Sequence, residues 1–188
     1  ARPAAIMRPF IQHIFLTTLL TAVLAGGVGA QRPTEHQIKA AVVLKFGRFV
    51  EWPAGTFADS SSPMTIAVLG RDAIGQLLEE MIPDLTGNIR PVQVVRVERL
   101  EDLPTCHILF ISASENRRLA GILATLGDRS VLTVGDMEWF ARGGGMIRLR
   151  FDDERMRMRV NLKAARDADL RISSRLLHLA EIVGEQDR

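Results

Sequence analysis

Five arginines near the C-terminal end alternate with apolar residues, and this spacing is the strongest chemical signal in the chain. Alternation with a period of two is typical of a β-strand that buries one face. The acidic residues 152–154 interrupt the alternation once, so the pattern predicts an antiparallel hairpin with a core face and a cationic face. The cationic face would consist of Arg148, Arg150, Arg155, Arg157 and Arg159.

These arginines have two interpretations. Like charges placed opposite each other across a hairpin repel, so neighbouring acids, solvent or a partner must compensate them. In one interpretation the cationic face is an exposed sheet edge whose charges prevent aggregation. In the other it is a docking face for the acidic surface of a partner or for an anionic headgroup region. The sequence leaves both open.

A second candidate site lies directly after the first predicted strand of the core. The apolar run 64–69 ends at Gly70, and Arg71 and Asp72 then lead into a predicted helix. Open α/β sheets bind ligands beyond the carboxyl ends of their strands, and the first amides of a helix can donate to an anion. These three residues are therefore candidate ligand-binding residues. A P-loop is excluded, because positions 76 and 77 lack the Lys and Ser or Thr that must reach the phosphates.

Catalysis and metal binding have no support in the sequence. The chain contains neither a G-x-S-x-G nor an H-E-x-x-H motif, and its carboxylates are scattered along helices and turns. Cys106 and His107 are neighbours on a predicted strand, so their side chains point to opposite faces and cannot form a nucleophile–base pair. Neither His36 nor His178 has a near neighbour that suggests a metal site. We therefore predict a non-enzymatic protein without a metal or a cofactor.

Residues 34–53 predict the helix around which the core forms. Thr34 and Gln37 make a capping box at its start. The apolar residues that follow spread over a broad arc at 100° per residue, so we expect a mostly buried helix. Pro53 is expected to end it, because the residue before a proline avoids the α region.

Four further side chains are candidate partner contacts. Lys45 falls inside the apolar arc of the first helix, and Trp52 lies at its end. A structural explanation is also open for both, in which the lysine stem snorkels and the indole closes the core. Trp139 and Phe140 lie on a turn that follows the fourth predicted strand.

Residues 1–30 have the three parts of a secretory signal. Arg2 and Arg8 provide a positive start, and residues 11–24 form an apolar region interrupted only by Gln-His and threonines. The last three residues fit a small-x-small cleavage site. We expect cleavage after Ala30 and export, with an uncleaved membrane anchor as the alternative. The leader carries two arginines and no acid, so its removal lowers the formal net charge from +2 to 0. The basic balance of the whole chain then gives no indication of nucleic-acid binding.

The remaining residues, 31–188, are expected to form a single domain. Strands alternate with helices along them, which predicts an α/β three-layer sandwich with a mainly parallel central sheet and a C-terminal antiparallel hairpin. A final helix is predicted from Ser173 or Ser174 through position 183. Cys106 is the single cysteine of the chain, so an intramolecular disulfide is excluded. The predicted strands are 64–70, 93–97, 106–111 and 131–134.

Several segments, in this order along the chain, resemble the YfiR family of exported proteins. The first segment contains Lys-Ala-Ala and ends in Phe-Val-Glu-Trp-Pro, and the last contains Arg-Ile-Ser-Ser-Arg-Leu-Leu. The segments are distributed over nearly the whole chain after the leader. The matching segments are residues 35–53, 66–70, 106–112, 131–134, 144–147, 159–162 and 170–180.

The resemblance implies a small periplasmic α/β regulator that is not an enzyme. The best-understood members of the family hold a membrane-bound diguanylate cyclase inactive from the periplasmic side, which ties envelope conditions to cyclic di-GMP and biofilm formation. Related domains also occur in front of sensor kinases, so a small-ligand sensor is the alternative, and a homodimer remains open. The chain departs from the family at Leu44 and Lys45, where Tyr-Asn is frequent, and in lacking the family's cysteine pairs.

Overall fold

The computed structural model describes residues 32–85 and 90–183. Two sheets lie within these ranges, one of seven strands and one of two. The strands are β1 (Val50–Glu51), β2 (Met64–Leu69), β3 (Val92–Val97), β4 (Ile108–Ile111), β5 (Leu132–Gly135), β6 (Ile147–Asp152), β7 (Arg155–Asn161), β8 (Arg171–Ile172) and β9 (Ala180–Val183). The helices are α1 (Glu35–Lys45), α2 (Ile74–Met81), α3 (Leu119–Leu126), α4 (Leu162–Asp167) and α5 (Ser174–Leu177).

The large sheet has the strand order β3-β2-β4-β5-β6-β7-β9. Its first five strands run parallel, β7 turns back antiparallel to β6, and β9 runs parallel to β7. The continuous apolar runs of β2 and β4 are buried on both faces, as parallel strands under two layers require. The predicted α/β sandwich with a mainly parallel sheet and a C-terminal hairpin is confirmed.

Two apolar clusters lie on opposite faces of the large sheet. On the first face, α1, α2, α4 and α5 pack against side chains such as Phe110 and Ile147. On the second face, α3 and the loop that carries Met137 and Phe140 pack against residues such as Leu109. Among the described residues, the second cluster contains no side chain of β6, β7 or β9. The second helical layer therefore stops before it reaches these three strands.

The first helix is shorter than its sequence pattern predicts. The capping box of Thr34 and Gln37 is confirmed, but α1 ends at Lys45 and not before Pro53. A single 3₁₀ turn follows, in which a Cβ on Gly47 would lie 2.6 Å from the sulfur of Met64. The chain then leaves the helical path to form β1, which pairs with β8. Strand pairing here overrides the helical period of the apolar residues.

The predicted last helix is wrong beyond its first turn. Ser173 caps α5 as expected, but the helix ends at Leu177 and the chain continues as β9. The apolar residues of this segment fit both the 3.6-residue period of a helix and the two-residue period of a strand. The unpaired side of β7 favours the strand, because it offers backbone hydrogen bonds to a neighbouring strand. Pairing with β7 satisfies the backbone of the last strand and places Ile182 beside Val160.

The predicted hairpin is confirmed, and a short helix follows it. The turn between β6 and β7 consists of Asp153 and Glu154, with φ of 47° and 59°. Two consecutive left-handed residues are typical of the type I′ turn that suits tight hairpins. Asn161 then caps α4 by accepting a hydrogen bond from the amide of Ala164 at 3.0 Å.

The predicted leader and its cleavage after Ala30 lie outside the described residues. In the ranges 32–85 and 90–183, no helix is both long and apolar enough to cross a bilayer.

Candidate functional site

The arginine face, formed by Arg148, Arg150, Arg155, Arg157 and Arg159, lies where the sheet has no second helical layer. The alternation predicted from sequence is confirmed, since Ile147 and Leu149 are buried on the opposite face. The hairpin register places the arginines in cross-strand pairs. Arg148 lies opposite Arg159, and Arg150 lies opposite Arg157.

The half of β7 that carries Arg159 is not a free edge of the sheet, so the edge interpretation is wrong for that half. Within the described residues, the half that carries Arg155 and Arg157 pairs with β6 alone. β9 pairs with the second half of β7, from Met158 to Asn161, and is itself the outer strand. It brings Glu181 opposite Arg159, whose Nε donates to the carboxylate at 2.8 Å. The hydrogen bond and charge of Arg159 lower the pKa of Glu181. One arginine is therefore compensated by the neighbouring strand.

Arg148 is the buried member of the face, with 9% of its surface exposed. Its Nε is buried and has no hydrogen-bond partner among the described residues. Burial lowers the pKa of Arg148, and the charges of Arg159 and Arg150 lower it further. The charges of Glu138 and Asp136 oppose this change. Taking a charged group out of water without a paired counter-charge is unfavourable, so this position carries a cost that the fold itself does not relieve.

A cavity of about 450 Å³ opens on the arginine face. Four arginines and two carboxylates line it, together with His178 and Leu179 from the segment before β9. One carboxylate, Asp152, pairs with Arg150 at 2.8 Å, and the other is Glu181. The lining thus carries more positive than negative charge.

Trp139 lies on the loop that follows β5 and is 62% exposed. The guanidinium of Arg142 lies 5.6 Å from its ring centre. The loop that holds Trp139 is close enough to the arginine face that the charge of Glu138 acts on Arg148. An exposed indole beside cationic groups is typical of protein interfaces.

Phe140 cannot contact a partner, and this candidate is corrected. Its side chain is completely buried in the second apolar cluster. The ring fits between two glycines, because a Cβ on Gly135 would lie 2.6 Å from it and one on Gly145 only 2.3 Å. Phe140 anchors the loop that carries Trp139.

The interpretation of Lys45 as part of the buried arc is also wrong. Lys45 is exposed at the end of α1. The buried lysine is Lys39, which makes ion pairs of 2.6 Å with both Asp136 and Glu35. Asp136 follows β5, so Lys39 ties the first helix to the carboxyl end of the sheet. Sequence reasoning missed this pair because its partners lie 97 residues apart.

Trp52 belongs to an aromatic cluster at the other end of the sheet. Its ring meets those of Phe57 and His107 edge-on, at 6.0 and 6.3 Å, and the latter two stack at 4.3 Å. The guanidinium of Arg90 lies 3.9 Å from the Phe57 ring centre. Burial lowers the pKa of His107, whose Nδ1 accepts a hydrogen bond from the amide of Thr65 at 2.9 Å. The half-buried indole therefore packs as the structural explanation predicts.

The candidate ligand loop at Gly70, Arg71 and Asp72 makes its hydrogen bonds within the protein. The amide of Arg71 donates to Ser114 Oγ at 3.0 Å, and Ser112 Oγ donates to the Arg71 carbonyl at 2.9 Å. The first amide of α2 donates to Asp72 Oδ1 at 2.9 Å. These bonds engage donors that an anion at this loop would need.

Cys106 is buried in the second cluster, whereas His107 faces the aromatic cluster on the other side. The predicted opposite orientation of the two side chains is thus confirmed. Burial raises the pKa of the Cys106 thiol to about 11, so little reactive thiolate forms near neutral pH. No group of potential metal ligands comes together within the described ranges.

A family described as YfiR/HmsC-like matches residues 36–181. The matched range includes the whole arginine face, Trp139 and the aromatic cluster around Trp52. Among curated proteins no match was found.

Proposed function

The chain belongs to the YfiR/HmsC-like family, and from this premise we propose that it represses a membrane-bound diguanylate cyclase. The family suggests a periplasmic regulator in cyclic di-GMP signalling, one that is regulatory rather than catalytic. In this proposal the protein binds the periplasmic portion of the cyclase and has no reaction of its own. The match over residues 36–181 is the observation that carries the proposal.

The uncovered part of the sheet is the surface that best suits such a partner. Trp139 offers a large exposed indole, the residue type that most often anchors an interface. Arg155 and Arg157 are exposed on β7 and would face an acidic surface of the partner. Exposed charges of this kind chiefly accelerate encounter and select the partner, while the anchor slows dissociation.

Binding to the partner's periplasmic portion tests the proposal. We expect Trp139→Ala to raise the dissociation rate about tenfold or more, as the loss of a central aromatic anchor does. The double variant Arg155→Gln, Arg157→Gln should instead slow association, and the difference from the wild type should shrink as salt screens exposed charges. Arg117→Gln is the matched control, because Arg117 is an exposed arginine on the 3₁₀ turn before α3.

The result that contradicts this surface is equal kinetics for all variants over the salt series. If even the wild-type protein fails to bind the cyclase portion, the proposed partner is wrong.

A small-ligand sensor is the second candidate function. The cavity on the arginine face is the observation that favours this function.

A further inference from the structure

The cavity on the arginine face has more cationic groups than the protein neutralises. Four arginines line it against two carboxylates, which leaves two positive charges in excess. Glu181 occupies the Nε of Arg159, and Asp152 pairs with Arg150. Within the described ranges, neither Arg148 nor Arg157 has a carboxylate at ion-pairing distance.

Arg148 distinguishes this cavity from an ordinary cationic surface. An exposed arginine needs no protein partner, because water hydrates its guanidinium. Arg148 is 91% buried and its buried Nε is unpartnered within the described part of the chain, although the residue lines the cavity. A buried donor without an acceptor is rare in folded proteins. The excess of positive charge around this donor favours an anion as its acceptor.

The strand register brings the cationic groups together from two sides. Cross-strand neighbours have their Cβ atoms about 5 Å apart, so Arg148 and Arg159 repel each other at this position. A guanidinium presents several N–H donors in one plane, which fits the oxygens of a phosphate or carboxylate. An anion bound on this face, beside the guanidinium groups of Arg148 and Arg159, would offset their mutual repulsion and could accept from the buried donor.

We propose that this cavity binds the oxyanion group of a small ligand, a phosphate or a carboxylate, held by Arg148, Arg157 and Arg159. The volume of about 450 Å³ lies within the range of small-molecule sites, so the ligand extends beyond the oxyanion itself. Leu179 also lines the cavity and, with 70% of its surface exposed, offers apolar contact to the rest of the ligand. This site does not depend on the identity of the cyclase partner.

Binding of simple oxyanions to the purified exported protein tests the site without any partner. The probes are inorganic phosphate, pyrophosphate and citrate, each titrated at constant ionic strength maintained with chloride, and read by calorimetry and thermal unfolding. We expect at least one probe to bind the wild type and raise its unfolding temperature, because a ligand of the folded state stabilises it. Arg148→Met should weaken that binding at least tenfold.

The stability of Arg148→Met in chloride alone provides a second readout. Since the wild-type charge is buried without a counter-charge, its replacement by an apolar side chain should leave the unfolding temperature equal or higher. Arg117→Met is the control and should respond to the anions as the wild type does. If Arg148→Met fails to fold, the exposed Arg157→Gln takes its place and should also weaken binding.

A vesicle assay separates a soluble ligand from a lipid headgroup. Co-sedimentation with phosphatidylglycerol but not phosphatidylcholine vesicles, lost in Arg148→Met, would assign the oxyanion to a lipid. Binding of the soluble probes without vesicle binding would assign it to a free ligand. The proposal is overturned if neither soluble probes nor vesicles bind, or if the wild type and Arg148→Met respond equally. Neither outcome bears on whether the cyclase is the partner.

Discussion

Replacing Lys39 by methionine tests whether the buried ion pair fixes α1 to the sheet. The Lys39 side chain is 7% exposed and lies 2.6 Å from Asp136, whose side chain is 19% exposed. Removing one partner of a buried pair costs about 3–5 kcal/mol, because the other charge stays behind uncompensated. Water reaches Asp136 in part, so we expect about 3 kcal/mol here, at the lower end. Methionine retains the packing of the lysine stem.

Thermal and urea unfolding of Lys39→Met measure this cost. A loss of about 3 kcal/mol corresponds to a decrease of roughly 6–12 °C in the unfolding midpoint of a domain of this size. Lys163→Met is the matched control, because Lys163 and Asp167 are also 2.6 Å apart but 75% and 59% exposed. An exposed pair of this spacing contributes about 0.3–0.5 kcal/mol. Equal destabilisation by the two substitutions would refute the reasoning.

The pH dependence of the stability difference between wild type and Lys39→Met is an independent test of the ion pair. Burial lowers the pKa of Lys39, but its hydrogen bonds and charge interactions with Asp136 and Glu35 outweigh burial and raise the pKa above its ordinary value of 10.5. A group with a raised pKa in the folded state contributes stability fully below its unfolded pKa and loses it as the pH rises through the folded value. The stability difference between wild type and Lys39→Met should therefore be constant from pH 7 to 9. It should shrink above about pH 10.5.

Three further predictions concern the core and the leader. Gly145→Ala should cost about 1–3 kcal/mol in unfolding free energy, because its Cβ would lie 2.3 Å from the Phe140 ring, whereas Gly121→Ala, with nothing within 4 Å, should be neutral or stabilising. Unfolding midpoints should not change with reductant, and Cys106→Ser should cost about 1–2 kcal/mol, since the thiol is buried and unpaired; a large reductant effect would reveal an intermolecular disulfide. Mass spectrometry of the exported protein should find cleavage after Ala30, and an intact leader on a membrane-bound form would contradict export by a cleaved signal.

The sequence correctly predicts the strands whose own residues carry a clear hydrophobic pattern. The hairpin is correct because alternation along 146–160 has an unmistakable period of two. The buried strands β2 and β4 are correct because continuous apolar runs need cover on both faces. The last strand escaped prediction because residues 180–183 fit either period, and only their pairing with β7 decides.

The candidate site depends on contacts that are distant in sequence. The five arginines and Trp139 could be named from their types and spacing, but the burial of Arg148 could not. That burial depends on tertiary packing around β6, where Arg148 lies beside Gly135 of β5, and no pattern within the strand reveals it. Phe140 was misassigned for a similar reason, since its pocket is formed by the two glycines at 135 and 145.

Cellular cyclic di-GMP tests the proposed repression most directly. The measurement compares the native host with a deletion of this gene, complemented by the wild type or by the Trp139→Ala, Arg155→Gln double variant. Repression of a cyclase predicts that the deletion raises cyclic di-GMP, that the wild type restores the original level, and that the double variant restores it poorly at equal periplasmic abundance. An unchanged level after deletion would contradict the proposed function, and full restoration by the double variant would contradict the proposed surface.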